Sequence, residues 1–152
     1  MSGPSAAGGY AELGAMSNFT FGEGASHPHE LAATAALLGH AAIGLADRNS
    51  LAGTVRGMAA AADLGLPFVV GCRIALEDGA EYLAWPVDRA GYGGLTRLLS
   101  HGRMGAPKGS CRINRDALLA AAGGWVMAVV PPDRPGGDFA ARARRDARAL
   151  ER

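Results

Sequence analysis

His27 and His29, separated by one residue, are the first pair in the chain whose types and spacing could do chemistry. Imidazoles so placed can share a transition-metal ion. Pro28 lies between them, however, and proline suits the first turn of a helix, so the pair reads as exposed helix-start residues. His40 follows Gly39, and His101 ends a leucine-rich stretch; both read as C-terminal residues favourable to a helix dipole. Cys72 follows an apolar run and reads as a small core side chain. Cys111 sits in a polar stretch with no basic partner that would hold it as a thiolate. Gly91-Tyr92-Gly93-Gly94 could be taken for a phosphate loop, but it lacks a GK[ST] ending and a preceding buried parallel strand, so a helix-start turn fits better. Arg142, Arg144, Arg145, Arg148 and Arg152 could meet phosphates, yet Asp138, Asp146 and Glu151 are interspersed, as on a solvated helix face.

The elements that would position these residues follow from pattern and punctuation. YAELG (10–14) is a short strand candidate, and SNFTFGEGASH (17–27) a loop with Gly22 and Gly24 free to take positive φ. A helix begins at Pro28, capped by Ser26 or His27, and closes at Gly39. AAIGLA (41–46) is too short an apolar run for a helix and reads as a buried strand. Asn49 or Ser50 can cap the next helix, LAGTVRGMAAAADLG, which Gly65 ends. PFVVGC (67–72) is a third buried strand, and Asp78-Gly79 turns a hairpin spanning 74–87. Helices follow at about 91–101 and at DALLAAA, then a buried strand WVMAVV, a PPDRPGG break and a basic C-terminal helix. Short apolar strands alternating with helices predict an α/β fold built on parallel pairing.

The chain has 152 residues, 49% of them hydrophobic, which suits a globular domain or part of a larger one. Its net charge of +1 carries no overall signature for nucleic acid or an acidic partner. No apolar stretch is long enough to span a membrane, and the first residues lack a basic region followed by an apolar run. Two isolated cysteines without CxxC spacing read as reduced thiols, which predicts the cytoplasm. Residues 1–8, rich in Gly, Ala and Ser, are expected to form a flexible tail.

Three stretches in order carry a family resemblance. YAELGAMSNFTFGEGASHPHEL, LADRNSLAGTVRGMAAAADLGLPFVVGCRIAL and DRAGYGGLTRLLSHGRMGAPKG are similar to the opening of the PHP (polymerase and histidinol phosphatase) domain of bacterial C-family DNA polymerases, the error-prone type above all. The resemblance covers residues 9 to about 131 and implies a distorted (β/α)7 barrel of which this chain supplies about the first half, so residues 9–152 are expected to form a partial PHP domain. Active members of the family bind a cluster of divalent metals at the strand ends, through histidines, carboxylates and sometimes cysteine. Such cations activate a water and neutralise phosphate charge during phosphoester hydrolysis.

At those ligand positions this sequence departs from the family pattern. The HxH after the first strand is replaced by Gly14 and Met16; the loop acid is kept as Glu23; the Asp-His pair becomes Asp47-Arg48; and the glutamate after PFVVG falls at Arg73. A glycine offers no donor and a thioether suits hard cations poorly. Each fixed positive charge about 4 Å from a cation costs about 4 kcal/mol per unit-charge pair at an effective dielectric of 20. The metal site is therefore expected to be degenerate, with no cofactor and no catalytic residue in this chain. Arg48 and Arg73 are expected to act as counter-charges to Glu23 and Asp47 in a network replacing the metals.

The resemblance implies a structural and interaction module within an error-prone polymerase. DNA synthesis, translesion work and repair would belong to the parent protein, the partner would be the rest of that polymerase chain, and DNA would be met only through it. Neither a membrane nor a small-molecule substrate is expected. The alternative is a metal-dependent phosphoesterase or 3′-5′ exonuclease of the PHP type, against which Gly14, Met16, Arg48 and Arg73 argue.

Overall fold

The structure is a computed structural model and describes residues 9–150; the expected tail at 1–8 lies outside the described residues. The elements are β1 (Ala11–Ala15), α1 (Pro28–Leu37), β2 (Ala42–Arg48), α2 (Thr54–Asp63), β3 (Phe68–Ala75), β4 (Glu81–Pro86), α3 (Arg89–Met104), α4 (Arg115–Ala121), β5 (Trp125–Val130) and α5 (Phe139–Leu150). The strand order is β1-β2-β3-β4-β5. By its contacts the chain divides between Gly71 and Cys72 into two compact units.

In the first unit, β1 and β2 pair in parallel, with Ala11 opposite Ala42 and Glu12 opposite Ile43. The register then slips, so that Ala15 rather than Gly14 faces Leu45. Such a bulge frees a backbone donor, and the N–H of Gly14 finds the Glu12 carboxylate at 2.7 Å. The bulge also presses the Leu13 backbone onto β2 at Gly44, where an added Cβ would sit 3.0 Å from the Leu13 Cα. Ala32 and Ala35 of α1, Ile43 of β2 and Ala61 of α2 form a small-residue core, with Leu31, Leu66 and Phe68 packed on it. Gly57 lets α2 approach closely, since a Cβ there would meet Leu45 and Phe68 at 2.6 and 2.9 Å.

The start of α2 differs from the sequence expectation. Its N-cap is Gly53, with no side-chain cap, whereas Asn49 takes a left-handed φ of 45° and the Ser50 hydroxyl accepts from the Ala52 N–H at 3.2 Å. Both polar residues serve the turn leaving β2, which competes with a capping role because each side chain can bond its own local backbone instead.

In the second unit β4 runs antiparallel to both β3 and β5, so the pairing is mixed rather than purely parallel. The Asp78-Gly79 turn forms as expected, with Gly79 at φ 81°. Asp88 caps α3 by accepting from the Gly91 N–H at 2.7 Å, which starts that helix earlier than the glycines suggested. Leu95, Leu98, Leu99, Ile113 and Leu118 are buried. The last strand is not buried as its apolar composition predicts: Val126 is 57% exposed and Val129 36%. Composition alone cannot distinguish a strand covered on both faces from one covered on a single face.

Candidate functional site

The first unit holds its polar centre where β2 ends. Asp47 is 2% exposed, and its carboxylate gathers donors from the loop after β1. The Ser17 N–H donates to Oδ1 at 2.7 Å, the Ser17 hydroxyl lies 2.8 Å from Oδ2 and 3.0 Å from Oδ1, and the Thr20 hydroxyl donates to Oδ1 at 2.8 Å. The hydroxyls in turn accept: Thr20 from the Arg48 N–H at 3.0 Å, Ser17 from the Phe19 N–H at 3.3 Å. A buried charge is tolerable when hydrogen bonds replace its lost hydration, and three donors supply that here. Gly53 closes the other side, where a Cβ would stand 2.7 Å from Asp47 Oδ2 and 2.9 Å from Ser17 Oγ.

Glu23, later in the same loop, pairs with Arg48 at 3.2 Å, and both side chains are 42% exposed. Backbone bonds from the Glu23 and Gly24 N–H groups to the Thr20 carbonyl, at 3.1 and 2.9 Å, hold that part of the loop in a tight turn. Phe19 packs beside Gly53, and the Arg56 guanidinium lies 5.4 Å from its ring centroid, a cation–π distance. Gly14 lies at the β1 bulge, and Met16 is half-buried just before Ser17. The structure thus brings Glu23 and Arg48 together and seats Asp47 on Ser17 and Thr20. In the second unit Arg73 pairs with Glu81 across the hairpin, Nε to Oε2 at 2.7 Å.

Ser17, Thr20 and Gly53 were missed by sequence reasoning. Their only signal was a hydroxyl-rich loop, SNFT, about 30 residues before an acid at a strand end. His27 and His29 stack at 5.5 Å between centroids, both exposed at the start of α1, as the proline between them implied. His40 is held edge-on to Tyr10 at 4.9 Å. Cys72 is fully buried, and burial raises the Cys111 thiol above its usual range, with Arg103 opposing weakly. Among the described residues no three His, Cys, Asp or Glu side chains are grouped so as to hold a metal ion. Nor is any described helix long and apolar enough to cross a membrane.

The second unit has a polar cluster of its own. Asp146 of α5, 7% exposed, accepts from the Tyr82 hydroxyl and from Arg115 Nη1. Arg115 also reaches Tyr82 Oη at 2.7 Å and Asp78 Oδ2 at 2.7 Å. Burial, then the bond to Asp146, raises the Tyr82 pKa. The Ala80 N–H, followed by Arg115, holds Asp78 below the usual carboxylate range. Burial alone would lower the Arg115 pKa, but its bonds to Asp78, Tyr82 and Asp146 outweigh that and raise it. Beside the cluster lies a cleft of about 310 Å³, lined by Arg73, Tyr82, Val129, Phe139, Arg142 and Asp146 among others.

The α/β order, the hairpin and the loop knotted at the end of β2 define a fold of the PHP type, present here in part. The chain belongs to the PHP domain family, whose model matches residues 13–149. Among solved structures it is similar to a Bifidobacterium adolescentis protein described as a metal-dependent phosphoesterase, with a TM-score of 0.67 over 91% of this chain and 74% of that one. At 14% identity that likeness concerns the fold alone. Among curated proteins the chain is 48% identical over 124 residues to the error-prone DNA polymerase of Caulobacter vibrioides, covering 81% of this chain and 11% of that protein. It is 43% identical over 124 residues to that of Rhodopirellula baltica and 44% over 141 residues to error-prone DNA polymerase 2 of Agrobacterium fabrum, covering 82% and 93% of this chain. The chain spans only 11 to 13% of the length of these relatives.

Proposed function

We propose that this chain is a metal-free structural PHP module belonging to an error-prone type of polymerase, with residues 9–152 forming one partial domain. The observation that carries the reading is the state of Asp47: the acid retained at a family ligand position is bonded to Ser17 and Thr20 rather than held open toward a cation. The donor set does not fit a divalent cluster. Gly14 brings no donor, Met16 brings a thioether, and Glu23 is engaged by Arg48. The Arg48–Glu23 pair supports reading those two residues as a charge pair in place of metals, whereas Arg73, expected in the same network, pairs with Glu81 in the second unit.

On this reading the chain performs no catalysis. Nucleotidyl transfer, and any translesion or repair role in the cytoplasm, belongs to a longer polymerase in which such a module supports the fold of its neighbours. Deleting the matching 124 residues from the Caulobacter vibrioides relative tests this role. Loss of soluble, primer-extending enzyme is expected; a deletion protein that folds and extends primers normally would refute it.

A further inference from the structure

Charge is divided unevenly along the chain. Of its 15 basic residues 13 follow Gly71, against 9 of its 14 acids, which leaves the second unit with an excess of four positive charges. Four of those nine acids are already engaged: Glu77 by Arg112 at 3.4 Å, Asp78 by Arg115 and Glu81 by Arg73 at 2.7 Å each, and Asp146 by Arg115. The excess is therefore not neutralised pair by pair, and much of it falls on α5.

The orientation of α5 is fixed by its single acid. Asp146 turns inward to Tyr82 and Arg115, and Phe139, Arg142 and Ala143 line the cleft. This places Arg144, Arg145 and Arg148 outward, all exposed. Positions 144 and 148 are one helical turn apart and 145 and 148 three residues apart, so the three guanidiniums share a face. Like charges at these spacings repel, and no acid of α5 accompanies them on that side.

We propose that this face of α5 binds the phosphodiester backbone of a nucleic acid, without reading its sequence. Guanidinium forks match phosphate oxygens in a bidentate manner. A membrane surface fits less well, because an interfacial helix needs an apolar side to insert and that of α5 is turned into the cleft. The inference goes beyond the structural-module reading and does not rest on it, since its readout is DNA affinity and not polymerase folding.

The test is fluorescence anisotropy of the 152-residue chain with labelled duplex and single-stranded oligonucleotides of mixed sequence, at about 50 and about 200 mM salt. Wild type is expected to bind in the micromolar range at the lower salt and to weaken steeply at the higher. Arg144→Gln, Arg145→Gln and Arg148→Gln, each on an exposed side chain that the fold does not need, are each expected to weaken binding about two- to fourfold. Each should also reduce the slope of log affinity against log salt by about 0.7 to 0.9. The corresponding lysine variants should stay within about threefold of wild type. Absence of binding at the lower salt, single glutamine variants that bind like wild type, or equal or tighter binding to phosphatidylserine vesicles would each overturn the proposal.

Discussion

Asp47 and Asp146 are both buried carboxylates, yet the chain satisfies them by opposite means. Asp47 collects an amide and two hydroxyls from one loop. Asp146 takes a guanidinium and a phenol from different elements. The first arrangement draws its donors from one tight turn and is rigid, because short side chains there have little freedom to lose. The second depends on one long cation serving three acceptors, so it concentrates the risk in Arg115. Removing a partner from the first leaves other donors; removing Arg115 takes the counter-charge from Asp146 and leaves the Tyr82 hydroxyl beside a buried charge.

The largest effect is therefore expected at Arg115. Arg115→Met should cost about 3 kcal/mol, as breaking buried ion pairs does, and should release α5 before the rest of the second unit unfolds. Hydrogen exchange of α5 amides against those of α3 checks it; equal protection in the variant would erase the contrast between the two acids. Gly53→Ala comes next. The methyl would meet Asp47 Oδ2 at 2.7 Å and Ser17 Oγ at 2.9 Å, and forced displacement in a packed site costs about 1–3 kcal/mol, measurable by urea denaturation. Ser17→Ala should cost less, about 1 kcal/mol, because Asp47 keeps the Ser17 amide and the Thr20 hydroxyl.

The Asp78-Gly79 turn and the bounds of the Trp125–Val130 strand could be read directly from the sequence, since each depends on residues adjacent along the chain, whereas the strand expected at 67–72 and the first arm of the 74–87 hairpin are one strand, Phe68–Ala75. The positions of Glu23, Asp47, Arg48 and Arg73 emerged through family resemblance. Ser17 and Thr20 did not, because their partner lies 30 and 27 residues away and only the fold brings them together. Glu81 as the partner of Arg73 depends on hairpin register, with Arg73 opposite Leu83 and Glu81 opposite Ala75, which the turn sets and composition does not reveal. The helix after β2 began late because Asn49 and Ser50 were absorbed by the turn.

Titration sharpens the same comparison. Tyr82 has a raised pKa, so between its ordinary value near 10 and its native one the folded state holds a proton that the unfolded state has lost. Stability should fall as pH rises above about 10, with the phenolate absorbance of Tyr82 appearing later than that of a free tyrosine. Asp78, held low, contributes in the opposite direction: its stabilisation is present above its ordinary value of 3.8 and is lost as pH falls below it. Urea midpoints across both ranges check the two signs. The smallest effect is expected at the exposed pair, where Arg48→Gln should change stability by less than about 1 kcal/mol, and less still in high salt.

The central claim is that the retained acids serve the fold and not a metal. Elemental analysis of the purified chain for Zn, Mn and Fe, joined to thermal unfolding with and without each ion, tests it most directly. The account predicts substoichiometric metal and an unchanged melting temperature. Stoichiometric bound metal, or a clear rise in melting temperature with added ion, would contradict it, because a ligand that binds only the folded state must raise its stability.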